Sequence, residues 1–185
     1  NGATTRKFFK DTVTCYNAAS GAKLYAQSGP AENVLFEGII AYCNGKTGAH
    51  GTIIVNDGDA TIGEPQLLGG SSNSPLTNFD VESCYTWQQP NINGLAFWIG
   101  QGLQNQQNNS VRNSVFFGGA GVTLQQQDLG NYQFSNNKVF GRGQNLLSIS
   151  TYGSNTVATA GLNLQNNQYW SYNSWPNPFT NNDTF

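Results

Sequence analysis

The chain has 185 residues, a formal net charge of −2 and only 10% charged side chains. Eight Lys and Arg residues are too few for the basic footprint of a nucleic-acid binder, and no run approaches the eighteen or so apolar residues that span a bilayer. Asn and Gln supply 40 residues and Gly another 22, which disfavours helix, while 12% aromatic residues argue against disorder. A polar, weakly charged, aromatic-bearing chain of this kind suits an all-β protein that is extracellular, secreted or on a virion surface. Its length suits one domain with a real core. No leader pattern opens the sequence, which reads as a mature chain or a fragment.

Six copies of one segment follow each other along the chain. In each, an apolar anchor is followed five positions later by a second apolar or small anchor, with a polar or tight corner between. The anchor pairs are Phe9 and Thr14, Phe36 and Ala41, Phe79 and Cys84, Val111 and Phe116, Phe134 and Val139, and Leu164 and Tyr169. The corner residue is then Asp11, Gly38, Val81, Asn113, Asn136 and Asn166 in turn. After the first five copies come a Gly-bearing turn and a further strand, at residues 22–26, 52–55, 95–99, 122–125 and 145–149. Alternation in these strands predicts one buried face. Each unit therefore reads strand, sharp corner, strand, Gly turn, strand. Asn tolerates left-handed backbone, and a repeated corner Asn predicts an amide ladder. Each amide would donate to the equivalent oxygen one layer away, at a strand spacing of about 4.8 Å. Such units bury their apolar faces only by stacking on one another.

The stretches FSNNKVFG from Phe134, VRNSVFFG from Val111 and LQNNQYW from Leu164 resemble rungs of the right-handed parallel β-helix superfamily. That superfamily includes pectate lyases, other polysaccharide lyases and hydrolases, and phage tailspikes. The resemblance covers about residues 6–172 and is clearest over 77–172. It implies an all-β, right-handed parallel β-helix of about six coils over residues 1–170. Residues 171–185, aromatic and broken by proline, then form a C-terminal cap or an oligomer contact. A β-sandwich is the alternative fold. Three cysteines exclude a full disulfide framework. Cys84 falls at an interior anchor, and Cys15 and Cys43 lie just beyond equivalent anchors. Free buried thiols and a Cys15–Cys43 bridge both remain open.

In enzymes of this superfamily the substrate lies along the strand face after the Gly turn. Alternation there turns Lys23, Tyr25, Ile54, Asn56, Trp98, Thr123, Gln125 and Ser148 outward. That set contains no carboxylate, and a glycosidase needs two. Aromatic faces, amides and hydroxyls instead suit sugar binding, with Tyr25, Asn56, Trp98, Gln125 and Ser148 as the candidate residues. Acids occur elsewhere. Asp80 and Glu82 share the outward face of one strand, about 7 Å apart by strand geometry, and are the candidate catalytic pair, with Arg142 in a turn beside the groove. Asp57 and Asp59 open an insertion over about residues 57–76; they are candidate Ca²⁺ ligands or members of a plain turn. No other cofactor is expected. A Ser/His/Asp system could run only through His50, which sits in a Gly-flanked turn and reads as a surface residue rather than a base. The expected partner is a polysaccharide or glycan, with neither nucleic acid nor membrane, and the expected assembly is a homo-oligomer, either a trimer or an end-to-end stack. Three functions follow: a tailspike- or adhesin-like carbohydrate-recognising module, a polysaccharide lyase or glycoside hydrolase, and a structural subunit of an extracellular filament.

Overall fold

The computed structural model describes residues 5–15, 22–23, 31–42, 52–55, 59–62, 67–69, 76–87, 95–102, 106–117, 121–126, 129–141, 146–150, 161–171 and 180–181. These residues form strands and turns, with no helix among them. The first coil holds β1 (Lys7–Lys10), β2 (Val13–Cys15) and β3 (Ala22–Lys23). The second holds β4 (Ala31–Glu37), β5 (Ile40–Tyr42), an inserted hairpin of β6 (Thr52–Val55) and β7 (Asp59–Ile62), and β8 (Leu67–Gly69). The third holds β9 (Leu76–Glu82), β10 (Tyr85–Trp87) and β11 (Leu95–Gly102). The fourth holds β12 (Gln106–Gln107), β13 (Ser110–Arg112), β14 (Val115–Phe117) and β15 (Gly121–Gln126). The fifth holds β16 (Leu129–Gly130), β17 (Tyr132–Ser135), β18 (Lys138–Gly141) and β19 (Leu147–Ser150). The sixth holds β20 (Leu162–Gln165) and β21 (Gln168–Ser171), followed by β22 (Thr180–Asn181).

Each of the first five coils gives a strand to each of three sheets, coils 4 and 5 add β12 and β16 beside sheet 1, the described part of coil 6 joins sheets 1 and 2, and neighbours in a sheet come from successive coils. Sheet 1 runs β1-β4-β9-β13-β17-β20, sheet 2 runs β2-β5-β10-β14-β18-β21-β22, and sheet 3 runs β3-β8-β11-β15-β19. Pairing between coils is parallel throughout, so the chain winds as a parallel β-helix. Among the described residues only β6–β7 and β21–β22 pair antiparallel.

The core is a set of register columns. Phe9, Phe36, Val81, Val111, Phe134 and Leu164 stack in sheet 1. Thr14, Ala41, Thr86, Phe116, Val139 and Tyr169 stack in sheet 2. From coil 2 to coil 5 every member of both columns is buried. Five of the six predicted anchor pairs occupy these columns. The third does not: Val81 and Thr86 stand where Phe79 and Cys84 were expected. Side chains alternate with period two, so a slip of two residues keeps the face and changes the partner. Phe79 and Cys84 are accordingly buried, but two residues earlier along the chain, in the neighbouring inward-facing columns. The corner of coil 3 is Ser83 rather than Val81, in keeping with the cost of left-handed backbone for a β-branched residue.

All six corners adopt the left-handed region: Asp11, Gly38, Ser83, Asn113, Asn136 and Asn166 have φ between 49° and 66°. Gly38 is the place where glycine matters, because a Cβ there would lie 2.6 Å from Asp11 Oδ1. The expected ladder between these corner Asn side chains is replaced by another arrangement. They are exposed, and Asn113 Nδ2 donates to Glu82 Oε1 at 3.4 Å. The layers are tied by the next residue instead, which is buried. Asn167 Oδ1 accepts from Asn137 N–H at 3.0 Å, and Asn137 Oδ1 accepts from Ser114 N–H at 3.0 Å. Asn137 Nδ2 donates to Val111 C=O at 2.9 Å, and Asn167 Nδ2 donates to Phe134 C=O at 2.8 Å. Ser114 Oγ accepts from Cys84 N–H in the same way. A side-chain amide here stands in for a missing sheet bond at the bend.

A second set of left-handed asparagines, Asn33, Asn78, Asn108 and Asn131, lies at the opposite end of the sheet 1 strands. Here the amide-to-amide ladder does occur. Asn78 Nδ2 donates to Asn33 Oδ1 at 3.1 Å, and Asn131 Nδ2 donates to Asn108 Oδ1 at 2.6 Å. At the far end of sheet 2, Phe117, Phe140 and Trp170 stack face to face, with centroids 5.8 and 4.6 Å apart.

Two other expectations change. Thr52–Val55 pairs antiparallel with β7 rather than entering sheet 3, so Ile54 and Val55 are not on the expected strand face; β8 takes that place between β3 and β11. Cys15 is a free, half-buried thiol and so does not form the bridge; Cys43 lies outside the described residues. β22 lies on the outer edge of β21, where the predicted tail of 171–185 would act as a cap.

Cys84 is buried, with its thiol donating to Glu82 C=O at 3.3 Å. Desolvation pushes it from 9.0 up to about 11. The folded state therefore favours the protonated thiol. Its contribution is complete below pH 9.0 and is lost as pH rises to about 11, at about 1.4 kcal/mol per pH unit within that window. Urea unfolding across that range should show this slope, joined above pH 10.0 by that of the raised Tyr132 and Tyr169, and Cys84→Ala should remove the Cys84 part. Native protein should also resist alkylation at Cys84 and react there once unfolded. Alkylation of the native thiol would contradict the burial.

Candidate functional site, a polar cleft on sheet 1

The residues that alternate with the sheet 1 core columns form its outer face. One column there contains Leu35, Asp80, Ser110, Gln133 and Asn163. The next contains Lys10, Glu37, Glu82, Arg112, Ser135 and Gln165. In a chain so poor in charge, this face gathers Arg6, Lys10, Glu37, Asp80, Glu82 and Arg112. All six are ion-paired. Arg6 reaches across coil 2 to Asp80, Lys10 pairs with Glu37 at 2.5 Å, and Arg112 pairs with Glu82 at 3.1 Å. Half-exposed pairs of this kind stabilise by about 1 kcal/mol at most. Glu82→Gln is accordingly expected to lower stability by less than about 1 kcal/mol, checked by urea unfolding.

Between these columns and the second asparagine ladder lies a cleft of about 310 Å³. Its lining is Asp80, Asn108, Asn109, Ser110, Arg112, Asn131 and Gln133, every one polar. Asp80 accepts from Ser110 Oγ and from Arg6. Asn109 Oδ1 accepts from Phe79 N–H at 3.0 Å and so is tied into the fold. Two buried polar atoms at this face have no hydrogen-bond partner: Arg112 Nε and Ser135 Oγ, on residues paired in register. A buried donor left unsatisfied costs about 1–3 kcal/mol. Tyr132, next to Gln133 in the chain but turned into the core, also has an unpartnered hydroxyl. Desolvation, and then the Asp80 charge, raise its pKa far above the usual tyrosine range; it stays neutral.

Chemically, the cleft offers one carboxylate, one guanidinium, a hydroxyl and four side-chain amides. It has donors and acceptors side by side, and its one hydroxyl, Ser110 Oγ, donates to Asp80. No three His, Cys, Asp or Glu side chains among these residues converge to hold a metal ion.

Of the candidates read from sequence, Asp80 reaches the cleft, and Glu82 lies beside it through Arg112. They sit on adjacent columns, as alternation predicted, and each holds its own cation. Trp98 shares a sheet 3 register column with Leu68, Thr123 and Ser148. Gln125 lies in the same sheet, paired with Ser150. Asp59 begins β7, opposite Val55. Tyr25, Asn56, Asp57 and Arg142 lie outside the described residues. Sequence reasoning missed Asn108, Asn109, Ser110, Arg112, Asn131 and Gln133. One signal pointed to them: Asn33, Asn78, Asn108 and Asn131 each stand three residues before a true sheet 1 anchor. The misplaced anchor of coil 3 hid that repeat. Neither the family models, nor the curated proteins, nor the solved structures compared with the chain give a match.

Proposed function

We propose that the chain is a carbohydrate-recognising parallel β-helix module, tailspike- or adhesin-like and displayed outside the cell or on a virion, and that the sheet 1 cleft takes one sugar unit of a polysaccharide. The observation that supports this best is the lining itself. Sugar hydroxyls both donate and accept, and the cleft sets Asp80 and Ser110 beside Arg112, Gln133 and the Asn108–Asn131 ladder. Its volume sits at the small end of ligand pockets, which suits one ring, and the polar face continues into coil 6 through Asn163 and Gln165. Recognition is favoured over cleavage because Asp80 and Glu82 are each committed to an arginine. A general acid needs an environment that keeps its carboxyl protonated.

The test is incubation with a panel of bacterial and plant polysaccharides, following both binding and the release of reducing or unsaturated ends. Saturable binding without product is the expected result. Product release would transfer the chain to the lyases or hydrolases and make Asp80 and Glu82 the first residues to replace. A second reading, an end-to-end structural subunit, draws on the exposed Phe8, Phe9 and Val13 of coil 1. Against it, Lys7 and Lys10 flank the two phenylalanines of β1, and edge-strand lysines oppose further pairing. Sedimentation over a concentration series separates the two readings, since a filament grows and a recognition module keeps one size.

A further inference from the structure

We infer that the cleft selects uncharged sugars over acidic ones, and that the Glu82–Arg112 pair sets this preference. The inference rests on the reading of the cleft as a sugar site.

Among the described residues, Arg112 is the one cation in the lining. It is already engaged: its terminal nitrogen donates to Glu82 Oε2 at 3.1 Å. A carboxylate is best held by two parallel donors of a guanidinium fork, and here Glu82 occupies one arm. The Nε–H is buried and has no partner, so the donors left for a ligand are the remaining Nη protons. Taken singly, each matches one hydroxyl oxygen. The same hydroxyl can then donate its proton to Asp80 or to an amide oxygen.

The surrounding charges reinforce the choice. The face carries Arg6, Lys10 and Arg112 against Glu37, Asp80 and Glu82, each cation holding its own anion. It therefore presents no net field to attract an anion. A sugar carboxylate seated in the cleft would lie against Asp80 and close to Glu82, and like charges brought together in a partly desolvated site are strongly disfavoured. A neutral ring meets neither penalty and can accept from the Nη protons of Arg112 that Glu82 leaves unused.

The experiment uses matched oligosaccharide pairs that differ in charge at one carbon: glucan and glucuronan, galactan and galacturonan, mannan and mannuronan. Binding is measured by calorimetry on the intact chain. The wild type should favour a neutral member by about tenfold or more over its uronate partner. Glu82→Gln frees the second arm of Arg112 and removes one negative charge. It should raise uronate affinity by about tenfold, and salt should abolish that gain. Asp80→Asn, which removes the carboxylate within the cleft itself, is an independent route to the same shift should Glu82→Gln fold poorly by circular dichroism. A wild-type preference for uronates, or an unchanged ratio in both variants, would overturn the inference and leave sugar recognition standing. No binding to any member of any pair would instead overturn the carbohydrate reading on which it rests.

Discussion

Replacing Asn137 with alanine should destabilise the protein by about 3 kcal/mol, whereas the same change at its neighbour Asn136 should cost about 1 kcal/mol. The two residues are adjacent in sequence and differ entirely in what they hold. Asn137 is fully buried and bridges layers: its Oδ1 accepts from Ser114 N–H and its Nδ2 donates to Val111 C=O. Removing the amide leaves Ser114 N–H buried without a partner, at about 1–3 kcal/mol, and takes from Val111 C=O its side-chain donor. It also opens a small void in a column that continues through Asn167. Asn136 is exposed, with φ 55°. Alanine there loses only the ease with which Asn enters left-handed backbone. Asn137→Asp should be as damaging as alanine, because a carboxylate cannot donate to Val111. Urea unfolding followed by circular dichroism measures all three, and an Asn137→Ala variant within about 1 kcal/mol of wild type would remove the buried amides from the account.

Phe134→Ala should cost about 3–5 kcal/mol, while Phe9→Ala, in the same column, should cost under about 1 kcal/mol. Phe134 is fully buried between Val111 and Leu164 and stacks on Phe116 with centroids 6.3 Å apart. Its neighbours are fixed by sheets on two sides, so the cavity can collapse only partly. Phe9 is 53% exposed and touches the core through one edge-to-face contact with Phe36 at 5.2 Å. In a stacked coil, each layer is stabilised mainly by its immediate neighbours, so position along the axis decides the cost. Equal losses at the two positions would indicate that coil 1 is covered by something that buries Phe9.

The repeat was legible in the sequence because it is local. An apolar anchor, a corner residue able to take left-handed backbone and a second anchor all lie within six residues, and coils 4 to 6 spell the corner with Asn. Coil 3 was misread because Phe79 and Val81 both face the core and the aromatic residue is the more conspicuous. The left-handed corner argues for Ser83, since Ser enters that region more easily than Val. Thr52–Val55 reads as a coil strand because it has the same apolar run and preceding Gly, yet it pairs with β7; nothing in a strand's own residues names its partner. The cleft was still less visible. Arg6 and Asp80 are 74 residues apart, and Glu82 and Arg112 are 30 apart. They meet only through register, which depends on loop lengths between coils. Asp80 and Glu82 were found because they alternate on one strand. Ser110, Arg112 and Gln133 were not, because each is unremarkable until stacked beside them.

The most direct test of the account is the affinity of Gln133→Trp for the polysaccharide that the wild type binds best. Gln133 lines the cleft from the outer column and is outside the core cluster, so an indole there fills the cleft and leaves the packed columns intact. Trp98→Ala, on sheet 3, is the matched control. The account predicts that Gln133→Trp loses binding with its unfolding midpoint unchanged, and that Trp98→Ala binds as the wild type does. Undiminished binding by Gln133→Trp, with binding lost in Trp98→Ala, would contradict it and move the sugar to the third sheet.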